Sequence, residues 1–293
     1  MAMASSDNAV RSSNFTRALI YLVLILFALF YLLPFGIMLV NSLKPLEEIT
    51  GGNMISLPQN WTIAPWLSAW STAQIGVQPT GLRPYFINSI VMAVPAVAIS
   101  TFVGALNGYV LTKWHFRGAT WIFGLLLFSC FIPFQIVLIP MARILGILNI
   151  SGTAYGLILV HVVYGIGFST LYFRNYYAVF PTELVRAAQI DGAGFFQIFW
   201  RIMLPSSGPI IAVCCIWQFT NIWNDFLFGA SFASGGSAPM TVALNNLVNS
   251  STGVREYNVH FAGAIMAAGP TLLVYIVAGR YFVRGLMAGS VKG

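Results

Sequence analysis

The chain has 293 residues, 58% of them hydrophobic and only 7% Asp, Glu, Lys or Arg, with a mean hydropathy of +0.81. A soluble domain carries about 25% charged residues, so a water-facing globular fold is excluded and a polytopic membrane protein remains. The net charge of +7 is scattered singly or in short flanks such as Lys113-Trp114-His115-Phe116-Arg117, without the basic stripe that nucleic acid requires.

A helix needs roughly 20 apolar residues to cross about 30 Å of hydrocarbon. Charge-free windows of that kind run over 18–41, 84–112, 118–142, 152–173, 202–224 and 257–279. They predict an all-α fold with six transmembrane helices spread over residues 18–284. The charge-free segment 226–254 is also long enough, but Ser231–Met240 (SFASGGSAPM) and 245–252 (NNLVNSST) have loop composition. Residues 1–17 are polar and lead into the first span without a small-residue cleavage site, so the span reads as uncleaved rather than as a signal peptide. Residues 285–293 form a short tail.

Orientation follows the Lys/Arg bias. With both termini cytoplasmic, the inner segments hold Arg11, Arg17, Lys113, Arg117, Arg174, Arg186, Arg201, Arg280, Arg284 and Lys292, and the outer ones hold Lys44, Arg83, Arg143 and Arg255. A seventh span would destroy that asymmetry. Two connections are long. The outer one, 44–83, carries Trp61, Trp66 and Trp70, residues suited to a membrane interface. The inner one is 174–204.

In that inner loop Pro181 and Thr182 open a helix, with Glu183 well placed in its first turn. Leu184, Ala187, Ala188 and Ile190 give it an apolar, small-residue face, and Asp191-Gly192 stops it because Gly accepts a left-handed conformation. A second helical stretch, 195–203, leads to Pro205 at the start of span five. The bland reading is a surface helix on the bilayer; the functional one is a knob that docks into another protein.

The stretch PTELVRAAQIDGAGFFQIFWRIMLP resembles the EAA loop of membrane subunits of binding-protein-dependent ABC importers. Ala187, Ala188, Gly192, Ile202, Leu204 and Pro205 fall in register with that motif. IDGA at 190–193 and Pro209 resemble the carbohydrate (maltose-type) branch. So do Phe86-Ile87-Asn88-Ser89, Gly108-Tyr109 with Lys113, Phe116-Arg117-Gly118, Trp223-Asn224-Asp225-Phe226 and the terminal RGLMAGSVKG, the last nearest the glucose/mannose type. Arg186 stands where the family has its glutamate, and Glu183, one turn earlier, or an acid on the partner would take over its role.

The resemblance implies a permease subunit of an ATP-driven sugar importer in the cytoplasmic (inner) membrane of a bacterium or archaeon. It would form half of the translocation pathway. Its implied partners are a second permease subunit, two ATP-binding cassette subunits, an extracytoplasmic sugar-binding protein and membrane lipid. The loop, through Glu183, Arg186, Ala187, Ala188, Asp191 and Gly192, would couple the spans to the ATPase. Independently, none of the three lysines lies in a G-x-x-x-x-G-K-[ST] loop, so the chain has no phosphate cradle of its own and is not expected to be an enzyme. No cofactor or metal is expected either; Cys130, Cys214 and Cys215 lie in apolar stretches and read as buried hydrophobes.

In span five, Gln218, Asn221 and Asp225 share one face, with Trp217 and Asn224 beside it. Amides and an indole suit hydroxyl-rich rings, and these five residues are candidates for the translocation path. The alternative is interhelical hydrogen bonding. His161, Tyr164, Phe168 and Tyr172 form a stripe on span four, read first as core packing and second as a pathway wall. Gly104/Gly108 and Gly285/Gly289 have the spacing for close helix approach. Two rival functions are a stand-alone secondary sugar carrier, which lacks the expected inverted repeat and ionisable groups, and an intramembrane hydrolase built on Ser231 and His260.

Overall fold

The computed structural model describes residues 14–114, 116–249 and 255–288, with side chains described as far as residue 279. The first apolar window becomes α1 (Asn14–Asn41). The outer connection holds two short helices, α2 (Leu46–Thr50) and α3 (Ala64–Ser71). The second window is α4 (Arg83–Lys113), opened by Pro84, whose missing N–H does no harm in a first turn.

The third window does not form one helix. It folds as α5 (Ala119–Ser129) and α6 (Phe134–Ile147), which meet at a bend of 103°. Pro133 sits in the break, where its fixed φ and lack of a donor prevent α5 from continuing. α7 (Ala154–Ala178) is the fourth window, and the inner loop carries α8 (Thr182–Ile190). Residues 195–203 form the one helical stretch expected, α9 (Phe195–Ile198) running directly into a π-helical turn, Phe199–Met203. A 3-10 turn at Pro205–Ser207 then leads into α10 (Gly208–Trp223). α11 (Leu227–Phe232) and α12 (Met240–Asn249) are too short to cross a bilayer, and α13 (Tyr257–Ala288) is the last span. The described residues form no strand, only two isolated bridges.

Packing fixes the path of the chain. A Cβ on Gly104 would strike Ser169, and one on Gly108 would lie 2.7 Å from Phe173 Cβ and Arg174 N. The matching increments show that α4 and α7 lie side by side and point the same way. The chain returns between them through the bent α5–α6 pair, which as one span brings the candidate crossings among the described residues to six. α10 runs antiparallel to α7, with Cys214 Sγ on Ser169 Oγ at 3.2 Å and Gln218 beside Gly165. Trp223 Nε1 donates to the Ala267 carbonyl of α13 at 2.8 Å. At one end of the bundle Asn88 Nδ2 donates to the carbonyls of Gly236 (2.6 Å) and Ala238 (3.0 Å). Gly152 N donates to Phe232 O there, and Asn258 Nδ2 ties the start of α13 to Lys44 O at 3.1 Å. At the other end Lys113 Nζ reaches Phe180 O at 2.7 Å, placing α8 there.

The outer connection is a strap rather than a loose loop. Asn41 Nδ2 donates to Met54 O at 2.8 Å, and the buried Lys44 donates to Asn53 O at 3.2 Å. Trp66 and Trp70 are half-buried and have partners within the fold. Trp66 Nε1 donates to Ser42 Oγ at 3.1 Å, and Trp70 meets the Phe86 ring edge-on at 5.5 Å, so both anchor the strap; Trp61 stays exposed. Backbone N–H groups of Gln59 and Asn60 donate to Glu48 and hold its carboxyl below the usual range.

Candidate functional site

Two regions gather the residues that the sequence singles out. At the end of the bundle that carries α8, this helix turns Val185 into a cluster with Tyr109, Phe173, Tyr177, Phe199 and Met203, and Ala188 leans on the same cluster. The opposite face is open: Leu184 is 52% exposed and Ile190 86%, with Ala187 between them also exposed. Ala188 thus departs from the face expected of it. Gly192 has φ +82° and ends the helix, while Ala193 N closes the turn on Ala188 O at 2.9 Å. Glu183, Arg186 and Asp191 are exposed, and no ion pair engages Arg186 among the described residues. Lys113 clasps the start of α8 through Phe180 O and Thr182 Oγ1. Tyr109 Oη donates to Phe195 O at 3.2 Å. The end of α4 is therefore fastened to both sides of the loop.

The second region is a cleft of about 550 Å³ between α7, α10 and the α5–α6 bend. All five path candidates, Trp217, Gln218, Asn221, Asn224 and Asp225, line it. Gln218 is buried and donates to Ser100 Oγ at 2.7 Å, so part of its polarity serves the helix contact. Asn221 Nδ2 donates to Trp217 O at 2.9 Å. Asp225 accepts the N–H groups of Phe228 and Gly229, both at 3.1 Å, and so caps α11. Asn221 and Asn224 are exposed.

His161, Tyr164 and Phe168 line the same cleft, while His161 is buried and Tyr164 packs on the core, so the stripe meets both readings; Tyr172 packs on Trp217 with ring centres 5.8 Å apart. Helical spacing in α7 marks the stripe, but nothing in the sequence tells that its open side faces α10. The Gly285/Gly289 pair and the last residues of RGLMAGSVKG lie outside the residues whose surroundings are described. No hydrogen bond joins Ser231 to His260 among the described residues, so the hydrolase geometry is not met. Those residues also hold no group of three or more His, Cys, Asp or Glu that could bind a metal.

Residues 85–286 match the family described as the binding-protein-dependent transport system inner membrane component. The chain is 38% identical over 279 residues to a probable ABC transporter permease of Pyrococcus horikoshii, covering 95% of this chain and 98% of the relative. It is 31% identical over 300 residues to a xylose/arabinose import permease of Haloferax volcanii, covering 94% of each. In fold it is similar to a bacterial ABC transporter involved in alginate import, with a TM-score of 0.79 at 21% identity, covering 96% of this chain and 100% of the other. The chain belongs to this family of inner-membrane transport components. It is a multi-pass permease of a system that works with a binding protein, not an enzyme, and the glucose expectation finds no support in relatives named for xylose/arabinose and for diacetylchitobiose uptake.

Proposed function

We propose that the chain is one of two permease subunits of an ATP-driven sugar importer. It docks to ATP-binding cassette subunits through α8 and forms half of the pathway along the α7–α10 cleft. The observation that carries this reading is the division of α8 into two faces. Val185 and the Lys113 clasp hold it to the spans, and Leu184, Ala187 and Ile190 stand open for a partner. A helix held this way passes a partner's movement directly to α4. Arg186 and Asp191 flank the open face and suit a partner bearing complementary charges.

The exposed amides Asn221 and Asn224 support a second permease subunit, because polar side chains at membrane depth face protein or a water-filled path rather than lipid. The Lys/Arg distribution supports placing the α8 end and both termini on the cytoplasmic side. Names of relatives that include xylose and arabinose support a sugar as cargo. The test is mass spectrometry of what co-purifies with the tagged chain from native membranes in mild detergent. An ATPase subunit and a second permease are the expected companions. A lone chain that transports sugar without ATP would return the stand-alone carrier.

A further inference from the structure

The cleft holds polar atoms that the fold leaves without partners. His161 is 5% exposed, and its Nε2 has no hydrogen bond; the buried Oη of Tyr164 has none either. Both residues line the cleft. Buried polar groups are nearly always paired, and an orphan pair at one cavity wall asks for a ligand or water. His161 Nε2 lies 3.8 Å from Asp225 Oδ2, too far for a direct hydrogen bond. Neither His161 Nε2 nor Tyr164 Oη is open to water in this arrangement, so a ligand reaches them by parting the side chains; a hydroxyl admitted between His161 and Asp225 accepts from the imidazole and donates to the carboxylate. Beside them Phe168 and Trp217 lie with ring centres 4.6 Å apart, an apolar surface of the kind that packs against the C–H face of a sugar ring. Clefts of about 300–1,000 Å³ suit small ligands.

We propose that this subunit carries a sugar-hydroxyl subsite of its own. His161 with Asp225 grips one hydroxyl, Tyr164 grips a second, and the Phe168–Trp217 pair supports the ring. The inference rests on the sugar-importer reading and deepens it, because a permease can form a pathway wall without recognising what passes.

The test uses cells carrying the complete transporter. Uptake of radiolabelled glucose, mannose, xylose, arabinose and maltose is first compared with and without this chain. Loss of none of them would sink the sugar reading, and this inference with it. For the sugar that is lost, uptake of the parent is then compared with each monodeoxy analogue at saturating concentration. Wild-type cells should favour the parent. Tyr164→Phe, matched for amount in the membrane, should bring the ratio about three- to tenfold closer to one for a single hydroxyl position, the worth of one net hydrogen bond. His161→Gln should do the same for a different position, and stands as the test if Tyr164→Phe does not accumulate. Unchanged ratios for every analogue, with uptake of the parent still dependent on this chain, would overturn the subsite while leaving the importer intact; water alone then fills the cleft.

Discussion

Gly108 illustrates how a single hydrogen atom sets the distance between two spans. With Phe173 Cβ and Arg174 N only 2.7 Å from where its Cβ would stand, Gly108→Ala must push α4 away from α7. The expected loss is about 1–3 kcal/mol of stability, the usual cost of overpacking. Gly124, with nothing within 4 Å of its Cβ position, is the control: Gly124→Ala should be neutral or stabilising, as Ala is the better helix former. Thermal unfolding of the two variants in detergent separates these outcomes. The Gly104/Gly108 spacing was legible in the sequence, but its partner was not, because which helix approaches a small-residue face is a tertiary fact. The same holds for His161 and Asp225. Each was visible as a polar residue in an apolar span, yet 64 positions of chain separate them, and only the antiparallel packing of α10 on α7 sets them side by side.

At the scale of the element, α8 gives the sharpest separation of fold from function. Its start at Pro181 and its stop at Gly192 follow from local chemistry and were readable in the sequence. The facing of Ala187 and Ala188 was not, since it depends on where Val185 finds the bundle. Ala188→Phe would disturb that packing, whereas Ala187→Phe alters only the exposed face. Uptake by Ala187→Phe should fall on the order of tenfold or more, the consequence of ~1.4 kcal/mol lost at the docking surface, while insertion and accumulation stay normal. Gly192→Val should also fail in uptake, because φ +82° suits Gly and is most strained for a β-branched residue. Uptake rates set against immunoblotted membrane amounts check both, and normal transport by Ala187→Phe would remove the docking role. The third span shows the opposite limit of sequence reading. Its hydropathy marks a crossing, and Pro133 marks a fault, but a proline in an apolar run reads equally as a mild kink; only the structure gives a bend of 103°.

Over the whole molecule, the parallel run of α4 and α7 decides the topology. With the bent α5–α6 pair as the return between them, the candidate crossings among the described residues number six, and the strap and α8 lie at opposite ends. Val77 in the strap is 90% exposed and Ile190 on α8 is 86% exposed. In a background with Cys130, Cys214 and Cys215 replaced by Ala, a membrane-impermeant maleimide added to intact cells should label Val77→Cys and spare Ile190→Cys until the cells are opened and the docked partner is stripped away. Labelling of both from outside would contradict the six-span path.

The bend between α5 and α6 has a consequence for the life of the subunit in the cell. A Cβ on Gly167, midway along α7, would lie 2.8 Å from Cys130 Sγ, so the break sits at half the height of the bundle, and Phe131 within it is 74% exposed. In hydrocarbon, irregular backbone persists only where protein or a wet cavity covers it. On the proposed pairing with a second permease, a copy made in excess of that partner would leave Phe131 and the turn around it uncovered. The amount of this chain in the membrane should then fall when the partner is deleted, which immunoblotting of membranes checks.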